Sequence, residues 1–131
     1  MPFTPAELEY LESQRLGRLA TVDRGGAPQN NPVGFRVNEA NGTVDIGGYR
    51  MPQTRKFRNV QHNPRVALVV DDLVSVDPWT VRMLEIRGDA EVLTDADPPI
   101  EGLGRAVIRI HPRRVFAFGI DESEGVSGRD F

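Results

Sequence analysis

The sequence predicts a mainly β protein in which strands joined by short turns form an antiparallel barrel with two helices. Three observations predict this class. Apolar and polar residues alternate along several segments, turn-forming residues separate these segments, and only two segments carry helix start signals. Short turns between successive strands favour a barrel over a βαβ sheet. The 131 residues suffice for one domain, which we expect over residues 1–120, with a mobile polar tail over 121–131.

The first helix is predicted from start signals near Thr4. Thr4 is a suitable N-cap, Pro5 suits the first helical position, and Glu7 completes a Thr-x-x-Glu capping box. The helical spacing places Leu8 on the apolar face and Glu7 outside it. We expect the helix to end between residues 14 and 17.

Three strands are predicted between the two helices. Residues 16–22 are apolar and β-branched, and an Asp-Arg-Gly-Gly turn follows them. Residues 28–37 form the second strand. The dipeptide Asn41-Gly42 is a strong hairpin signal and connects this strand to a third over residues 43–49.

The second helix is predicted over residues 54–62. It ends before the Asn-Pro dipeptide at 63–64, because the residue before a proline avoids helical angles. Residues 65–70 are continuously apolar, which indicates a strand buried on both faces. We expect the two aspartates that follow to end this strand.

The remaining strands are predicted in the second half of the chain. Residues 81–93 alternate between apolar and charged side chains, which predicts a long half-exposed strand bent at Gly88. A loop is expected over residues 94–104. Two last strands follow over 105–110 and 115–120, separated by a His-Pro dipeptide.

The composition excludes several classes of function. The chain has no cysteine, which excludes disulfides, thiolate metal sites and cysteine nucleophiles. Its two histidines, His62 and His111, are far apart in sequence and do not indicate a metal site or a catalytic triad. No membrane span or signal peptide is predicted, so we expect a cytoplasmic protein. The net charge of −3 disfavours binding to nucleic acid or to an anionic membrane.

One local basic zone interrupts this acidic chain. Between Asp45 and Asp71 the sequence has no acidic residue, but it has four arginines and the only lysine, Lys56. The centre of this zone, Thr54 to Lys56 with Arg55 between them, lies at the predicted start of the second helix. Free N–H groups and the helix dipole attract anions there. The spacing leaves two interpretations open, a phosphate site and a solvated basic helix face capped by Thr54, and it favours the second.

Glycine and aromatic residues give weaker signals. Gly47 and Gly48 end a predicted strand, where they would let a flat ligand approach the backbone or form a tight turn. Trp79 follows a proline in a predicted loop and would stack on a ring, pack at an interface or fill the core. Phe118 alternates with Phe116 on the last strand, where core packing and contact with a partner subunit are the alternatives.

The order of these segments resembles a known enzyme family. The segments RLGRLATVD, TVDIGGY, TRKFRNVQHNPRVALVVDD and DPWTVRMLEIRGDAEVL are similar to those of the pyridoxamine-phosphate-oxidase-like flavin and deazaflavin oxidoreductases. More narrowly, the chain resembles the coenzyme F420-dependent branch. The most specific piece is the block Lys-x-Arg-Asn-x4-Pro-Arg-Val, which runs from Lys56 to Val66. The resemblance spans roughly residues 5–120.

The resemblance implies an FMN-binding split β-barrel and a homodimer whose cofactor cleft lies between the subunits. The phosphate would bind at the start of the second helix, the ring would lie along the backbone of the second strand, and the end of the third strand would close the cleft. The residues implied are Thr54, Arg55 and Lys56 for the phosphate, Asn31, Pro32, Val33 and Gly34 for the ring, Gly48 and Tyr49 beside it, and Trp79 and Phe118 as walls. The connection 94–104 is shorter than in larger relatives, which carry a helix there.

The resemblance also implies an oxidoreductase that uses reduced coenzyme F420 to transfer a hydride to a small conjugated organic substrate. The cofactor would carry the redox chemistry, which agrees with the poor inventory of catalytic side chains. FMN is the alternative cofactor, and a non-catalytic carrier or storage protein for F420 or flavin is the alternative function. No catalytic residue and no metal ligand is predicted.

Overall fold

The computed structural model describes residues 1–121 and 125–131 and forms a closed antiparallel barrel with two α-helices packed against it. The mainly β class and both predicted helices are confirmed. The elements in chain order are α1 Pro5–Ser13, β1 Leu16–Val22, β2 Pro28–Asn38, β3 Thr43–Gly47, a 3-10 turn Met51–Gln53, α2 Arg55–His62, β4 Arg65–Val76, β5 Trp79–Leu93, β6 Val107–Phe118 and β7 Val126–Asp130.

The barrel closes because β6 pairs with two strands along one edge. The strand order is β3-β2-β1-β4-β5-β6-β7, and β3 also pairs with β6. Residues 108–110 of β6 pair with β3, whereas residues 114–118 pair with β7. β7 is therefore an outer strand beside a six-stranded ring, which agrees with the split-barrel fold that the resemblance implies.

Alternate residues of the strands fill the barrel. Leu19 of β1 lies opposite Leu68 of β4, and both are buried. Tyr10 and Leu11 of α1 belong to the same apolar core, as does Phe57 of α2. α1 packs mainly against β2, and its Tyr10 also donates a hydrogen bond to the carbonyl oxygen of Arg82 in β5 (3.3 Å), whereas α2 packs against β1 and β5.

The start of α1 is as predicted, but the position of Glu7 is not. The Thr4 hydroxyl accepts a hydrogen bond from Glu7 N (3.2 Å), and Glu7 Oε1 accepts one from Thr4 N (3.0 Å), which confirms the capping box. The Glu7 side chain is buried, however, and Arg129 Nη1 of β7 donates to its Oε2 (3.0 Å). A buried carboxylate needs such a partner, and helical periodicity does not reveal one so distant in sequence. The helix ends at Ser13, slightly earlier than predicted.

β4 differs from its prediction in length and in burial. Asp71 and Asp72 do not end the strand, which continues to Val76 because β5 extends alongside it. Arg82 of β5 binds the Asp72 carboxylate through two hydrogen bonds (3.0 and 2.7 Å) and keeps it within the sheet. The strand is also buried on one face only, since residues such as Val69 on its other face are partly exposed.

β6 is one continuous strand and not the two that were predicted. Its His-Pro dipeptide lies at a bulge, where Arg87 pairs with Arg114 and Gly88 pairs with Pro112. Arg113 is the additional residue, so the strand absorbs the irregularity without ending. The prediction of a bend at Gly88 agrees with this shift of register.

We expect Gly88→Ala to destabilise the barrel at this bulge. A Cβ at Gly88 would overlap the backbone carbonyl of His111, which cannot rotate away as a side chain does. Overpacking typically costs about 1–3 kcal/mol, so the free energy of unfolding of Gly88→Ala should be lower than that of the wild type by about this amount or more. Urea denaturation measures it. Gly104→Ala is the matched control, because a Cβ there meets no atom within 4 Å; equal midpoints for the two variants would contradict the prediction.

Three further segments differ from the sequence prediction. β3 ends at Gly47, so the two residues that follow it lie outside the strand. Trp79 begins β5 and is not part of a loop. The predicted mobile tail contains β7, because a polar segment with one solvated face pairs readily at the edge of an antiparallel sheet. The part of that tail at residues 122–124 lies outside the described residues.

A buried ion pair connects β3 to β6 on the outer face of the barrel. Arg109 donates to both oxygens of the Asp45 carboxylate (3.0 Å each), and the side chain of Asp45 is 7% exposed. Thr43 and Asn38 also donate to this carboxylate (3.2 Å each). The hydrogen bonds from Arg109 to Asp45 raise the pKa of Arg109 above its ordinary value, because the carboxylate favours the charged guanidinium.

Candidate functional site

The start of α2 presents unused backbone donors. Thr54 is the N-cap; its hydroxyl accepts a hydrogen bond from Phe57 N (3.3 Å) and donates one to the carbonyl oxygen of Met51 (2.7 Å). The N–H groups of Arg55 and Lys56 have no acceptor among residues 1–121 and 125–131. Two donors at the positive end of a helix dipole therefore remain available to an anion.

The cations around this helix start also lack carboxylate partners. Many arginines elsewhere form ion pairs, but within the described part of the chain none of the cations between residues 50 and 65 has a carboxylate oxygen within 4.0 Å. The cations of this unpaired basic zone are Arg50, Arg55, Lys56, Arg58 and Arg65. Their charge is uncompensated within the described structure, as both a phosphate site and a solvated basic helix face would require.

Lys56 differs from the other cations of the zone in its burial. The arginines are exposed, whereas Lys56 is half-buried. Burial lowers the pKa of Lys56, because desolvation disfavours its charged form. A bound phosphate would have the opposite effect, since a nearby negative charge stabilises the ammonium. Lys56 is therefore a half-buried ammonium without a counter-ion in the described structure.

β2 connects this helix to the end of β3. Asn59 of α2 donates to the side-chain oxygen of Gln29 (3.4 Å), which fixes the helix beside the start of β2. Further along β2, Gly34 pairs with Gly47 at the end of β3. The stretch 29–34 is roughly 17 Å long at the usual rise of a strand and contains all four residues predicted to lie along a ring.

The four residues at positions 31–34 of β2 differ in how much of their surface is available to a ligand. Val33 points into the core and is 4% exposed, so only its backbone is available to a ligand. Pro32 is exposed, and Asn31 is partly exposed. Gly34 is covered from outside, because Ile100 Cδ1 occupies the position that a Cβ at Gly34 would take.

Gly48 and Tyr49 lie in the connection from β3 to α2. A Cβ at Gly48 would lie 2.9 Å from Met51 Cε, so the end of the Met51 side chain packs closely on this glycine. Tyr49 is 79% exposed. Arg50 follows with a φ of 55°, a left-handed turn that leads the chain towards Thr54. Both predicted residues therefore adjoin the helix start along the chain.

The structure does not bring Trp79 and Phe118 to the helix start within one chain. Ala90 N donates to the carbonyl oxygen of Pro64 (2.7 Å), so the end of α2 lies beside the second half of β5. Trp79 begins β5, and roughly 35 Å of extended strand separate it from Ala90. Phe118 pairs with Met83 near the same distant end. Both aromatic side chains are exposed.

Sequence reasoning missed the loop that covers β2 and β3. Pro99 Cγ and Leu103 Cδ1 lie 2.8 and 3.0 Å from the position of a Cβ at Gly47, and Ile100 covers Gly34 in the same way. The available signal was the apolar run Pro98-Pro99-Ile100 within residues 94–104, a segment that is otherwise polar and was predicted to be a loop. Its target on the sheet depends on tertiary packing and has no local pattern.

The described residues lack two further kinds of feature. No group of three or more His, Asp or Glu side chains in the described ranges is arranged to hold a metal ion. Across these same ranges, no helix has the length and apolar character of a membrane span.

Comparison with known proteins places this chain among characterised relatives. The family model described as pyridoxamine 5'-phosphate oxidase matches residues 3–126. A curated protein of Streptomyces rimosus, 5a,11a-dehydrotetracycline/5a,11a-dehydrooxytetracycline reductase, is 48% identical over 138 residues, which cover 99% of this chain and 94% of that protein.

Solved structures share the fold at low identity. The conserved hypothetical protein Rv2991 of Mycobacterium tuberculosis has a TM-score of 0.70 and 21% identity, with 89% of this chain and 85% of that chain covered. A pyridoxamine 5'-phosphate oxidase-related, FMN-binding protein of Nostoc punctiforme has a TM-score of 0.65 and 13% identity, with 98% and 97% covered. At these identities the likeness concerns the fold alone.

Proposed function

Since this chain belongs to the pyridoxamine 5'-phosphate oxidase family, we propose that it is an oxidoreductase that uses reduced coenzyme F420 to transfer a hydride to a small conjugated organic molecule. The 48% identity to a reductase over nearly the whole chain supports the oxidoreductase activity. The proposal of a conjugated substrate agrees with the name of that relative, which acts on dehydrotetracycline derivatives.

The observation that carries the cofactor proposal is the half-buried, unpaired ammonium of Lys56 beside the free N–H groups that begin α2. A phosphate fits this donor set, because it accepts hydrogen bonds from backbone N–H groups and supplies the negative counter-charge that the Lys56 ammonium lacks. Thr54 orders the helix start by capping it. Arg50 and Arg55 add exposed positive charge, which suits a phosphate that continues into an acidic tail, as in coenzyme F420.

The chain's own residues bind and orient the cofactor and take no covalent part. Lys56 and the adjacent N–H groups hold the phosphate, and the backbone of residues 31–34 supports the ring. When bound, the reduced deazaflavin supplies a hydride for an electron-poor double bond. We assign no general acid, and water is sufficient to deliver the proton.

FMN is the alternative cofactor. The structural neighbour from Nostoc punctiforme is described as FMN-binding, and a single phosphate also fits the start of α2. A non-catalytic carrier or storage protein for either cofactor is the alternative function. A carrier would bind reduced cofactor without accelerating its oxidation in the presence of an acceptor.

We also propose that the site is completed in a homodimer. Trp79 and Phe118 are 71% and 43% exposed and lie far along β5 from the helix start of their own chain. Large exposed aromatic side chains are typical of an interface. A second copy would place them against the cofactor site of its partner. Sedimentation at micromolar concentration should give twice the 14.6 kDa mass of the chain, and a strict monomer would contradict the proposal.

The compartment that we propose is the cytoplasm.

The experiment that tests the function is equilibrium binding of F420 and FMN, side by side, followed by cofactor fluorescence. Tighter binding of F420 supports the proposal, and tighter binding of FMN favours the alternative cofactor. Failure to bind either would contradict both. Oxidation of the reduced cofactor with a conjugated acceptor then separates an enzyme from a carrier.

A further inference from the structure

A cleft of about 430 Å³ lies on the outer face of β1 and β2. Arg15, Leu16 and Pro32 are among the residues that line it. Its volume is within the range of roughly 300–1,000 Å³ that is usual for small-molecule pockets. Pro32 also belongs to the segment proposed to support the cofactor ring, so the cleft adjoins the proposed cofactor site.

Two apolar side chains lie on this face of the sheet near Gly34: Leu16, which lines the cleft, and Ile100, which lies outside the lining of the cleft. Leu16 of β1 is directly opposite Gly34 of β2, and opposite residues of an antiparallel pair point to the same face of the sheet. Ile100 occupies the position of the absent Cβ of Gly34 on that face. Leu16 is 62% exposed and Ile100 is 38% exposed, so both present apolar surface outwards.

The loop that carries Ile100 is held against the sheet. Ala96 N donates to the carbonyl oxygen of Arg105 (2.9 Å), and this hydrogen bond closes the base of the loop. Pro99 of the same loop packs on Gly47, and its Cγ lies 2.8 Å from the position that a Cβ at Gly47 would take. The loop is therefore tied at its base, and it holds Ile100 over Gly34 beside the cleft.

The other edge of the cleft is positively charged. Arg18 and Asp71 form an ion pair with each other at the cleft. Arg15 is exposed and has no carboxylate oxygen within 4.0 Å in the part of the chain that the structure describes. The cleft thus combines an apolar wall with one uncompensated guanidinium, which favours a flat apolar molecule that carries an ionised oxygen.

We propose that this cleft is the substrate pocket, in which Leu16 and Ile100 contact the rings of a flat polycyclic substrate and Arg15 binds its ionised enol or phenol oxygen. The proposal rests on the proposed function, because the substrate must lie beside the ring supported by residues 31–34. It assigns specificity to three residues outside the phosphate site.

The test uses cofactor-loaded protein and tetracycline as the probe, since tetracycline has four fused rings and acidic enol groups. Leu16→Ala and Arg15→Gln should each weaken tetracycline binding by about tenfold, and Arg15→Lys should recover most of the loss. Val126→Ala, an exposed apolar change on β7, is the control and should leave binding unchanged. Cofactor affinity is measured separately and should be the same in all variants.

The outcomes separate this inference from the proposed function. If the wild-type protein binds neither cofactor, the proposed function fails. If it binds cofactor normally but tetracycline binds equally well to Leu16→Ala and Arg15→Gln, or does not bind the wild type, the pocket assignment is wrong. An Ile100→Ala variant with unchanged unfolding midpoint and weakened tetracycline binding would support the role of the loop.

Discussion

Replacement of Lys56 by alanine is expected to weaken cofactor binding by about 10- to 150-fold, because a charge-assisted hydrogen bond to a phosphate contributes about 1.5–3 kcal/mol. Lys56 is half-buried and has no carboxylate partner in the described structure, so its removal should not disrupt an existing ion pair. The free energy of unfolding without cofactor should therefore change little. Fluorescence titration with F420 and with FMN measures the affinity.

Two further variants make this result specific to the ammonium. Lys56→Arg keeps the charge and should recover part of the affinity, limited by the larger guanidinium. Arg105→Ala removes a cation of the loop over β2 and β3 that is already paired with Asp95, and it should leave the affinity unchanged. Equal affinities of wild type and Lys56→Ala would show that the phosphate does not bind at the start of α2.

Asp45→Ala is expected to have the largest effect on stability, a loss of about 3–5 kcal/mol, which is typical when one partner of a buried ion pair is removed. The substitution would leave the guanidinium of Arg109, which is only 20% exposed, without its two hydrogen bonds to a carboxylate. It would also remove the acceptor for Asn38 and Thr43. Because the pair connects β3 to β6, the closure of the barrel should weaken. Urea denaturation followed by circular dichroism measures the effect.

A paired substitution distinguishes the unpaired charge from a general loss of packing. Asp45→Leu combined with Arg109→Met removes both charges and should be less destabilising than Asp45→Ala alone. Asp95→Ala, which breaks an exposed pair, should leave the midpoint almost unchanged. A double variant at least as unstable as Asp45→Ala would mean that the buried charge is not the cause.

Local patterns were sufficient where an element is fixed by its own residues. β1 has the bounds that were predicted, and α2 ends at His62 because the Asn-Pro dipeptide stops it. The capping threonine at the start of α2 was also predicted from local signals, whereas the basic residues beside it favoured a solvated helix face on their own, and the phosphate assignment came from the family resemblance. These features depend on residues within a few positions of one another.

Predictions failed where a distant partner decides the structure. Asp72 remains in β4 because Arg82 of the neighbouring strand binds it, and two aspartates in sequence carry no sign of this. Glu7 is buried because Arg129 pairs with it. Likewise, Ile100 lies over Gly34 only after the barrel has formed. Register and long-range pairing have no signature in a local window, so these parts required the structure.

The pairing of Glu7 with Arg129 has a consequence for how the protein is synthesised. The ribosome adds Glu7 more than a hundred peptide bonds before Arg129, so the buried carboxylate has no such cation during most of translation. Until residue 129 emerges, the core beneath α1 contains a charge whose burial is unfavourable. The domain therefore reaches its final packing late, after β7 has docked on β6, and a nascent chain stalled before that point should be open to proteases at its first helix.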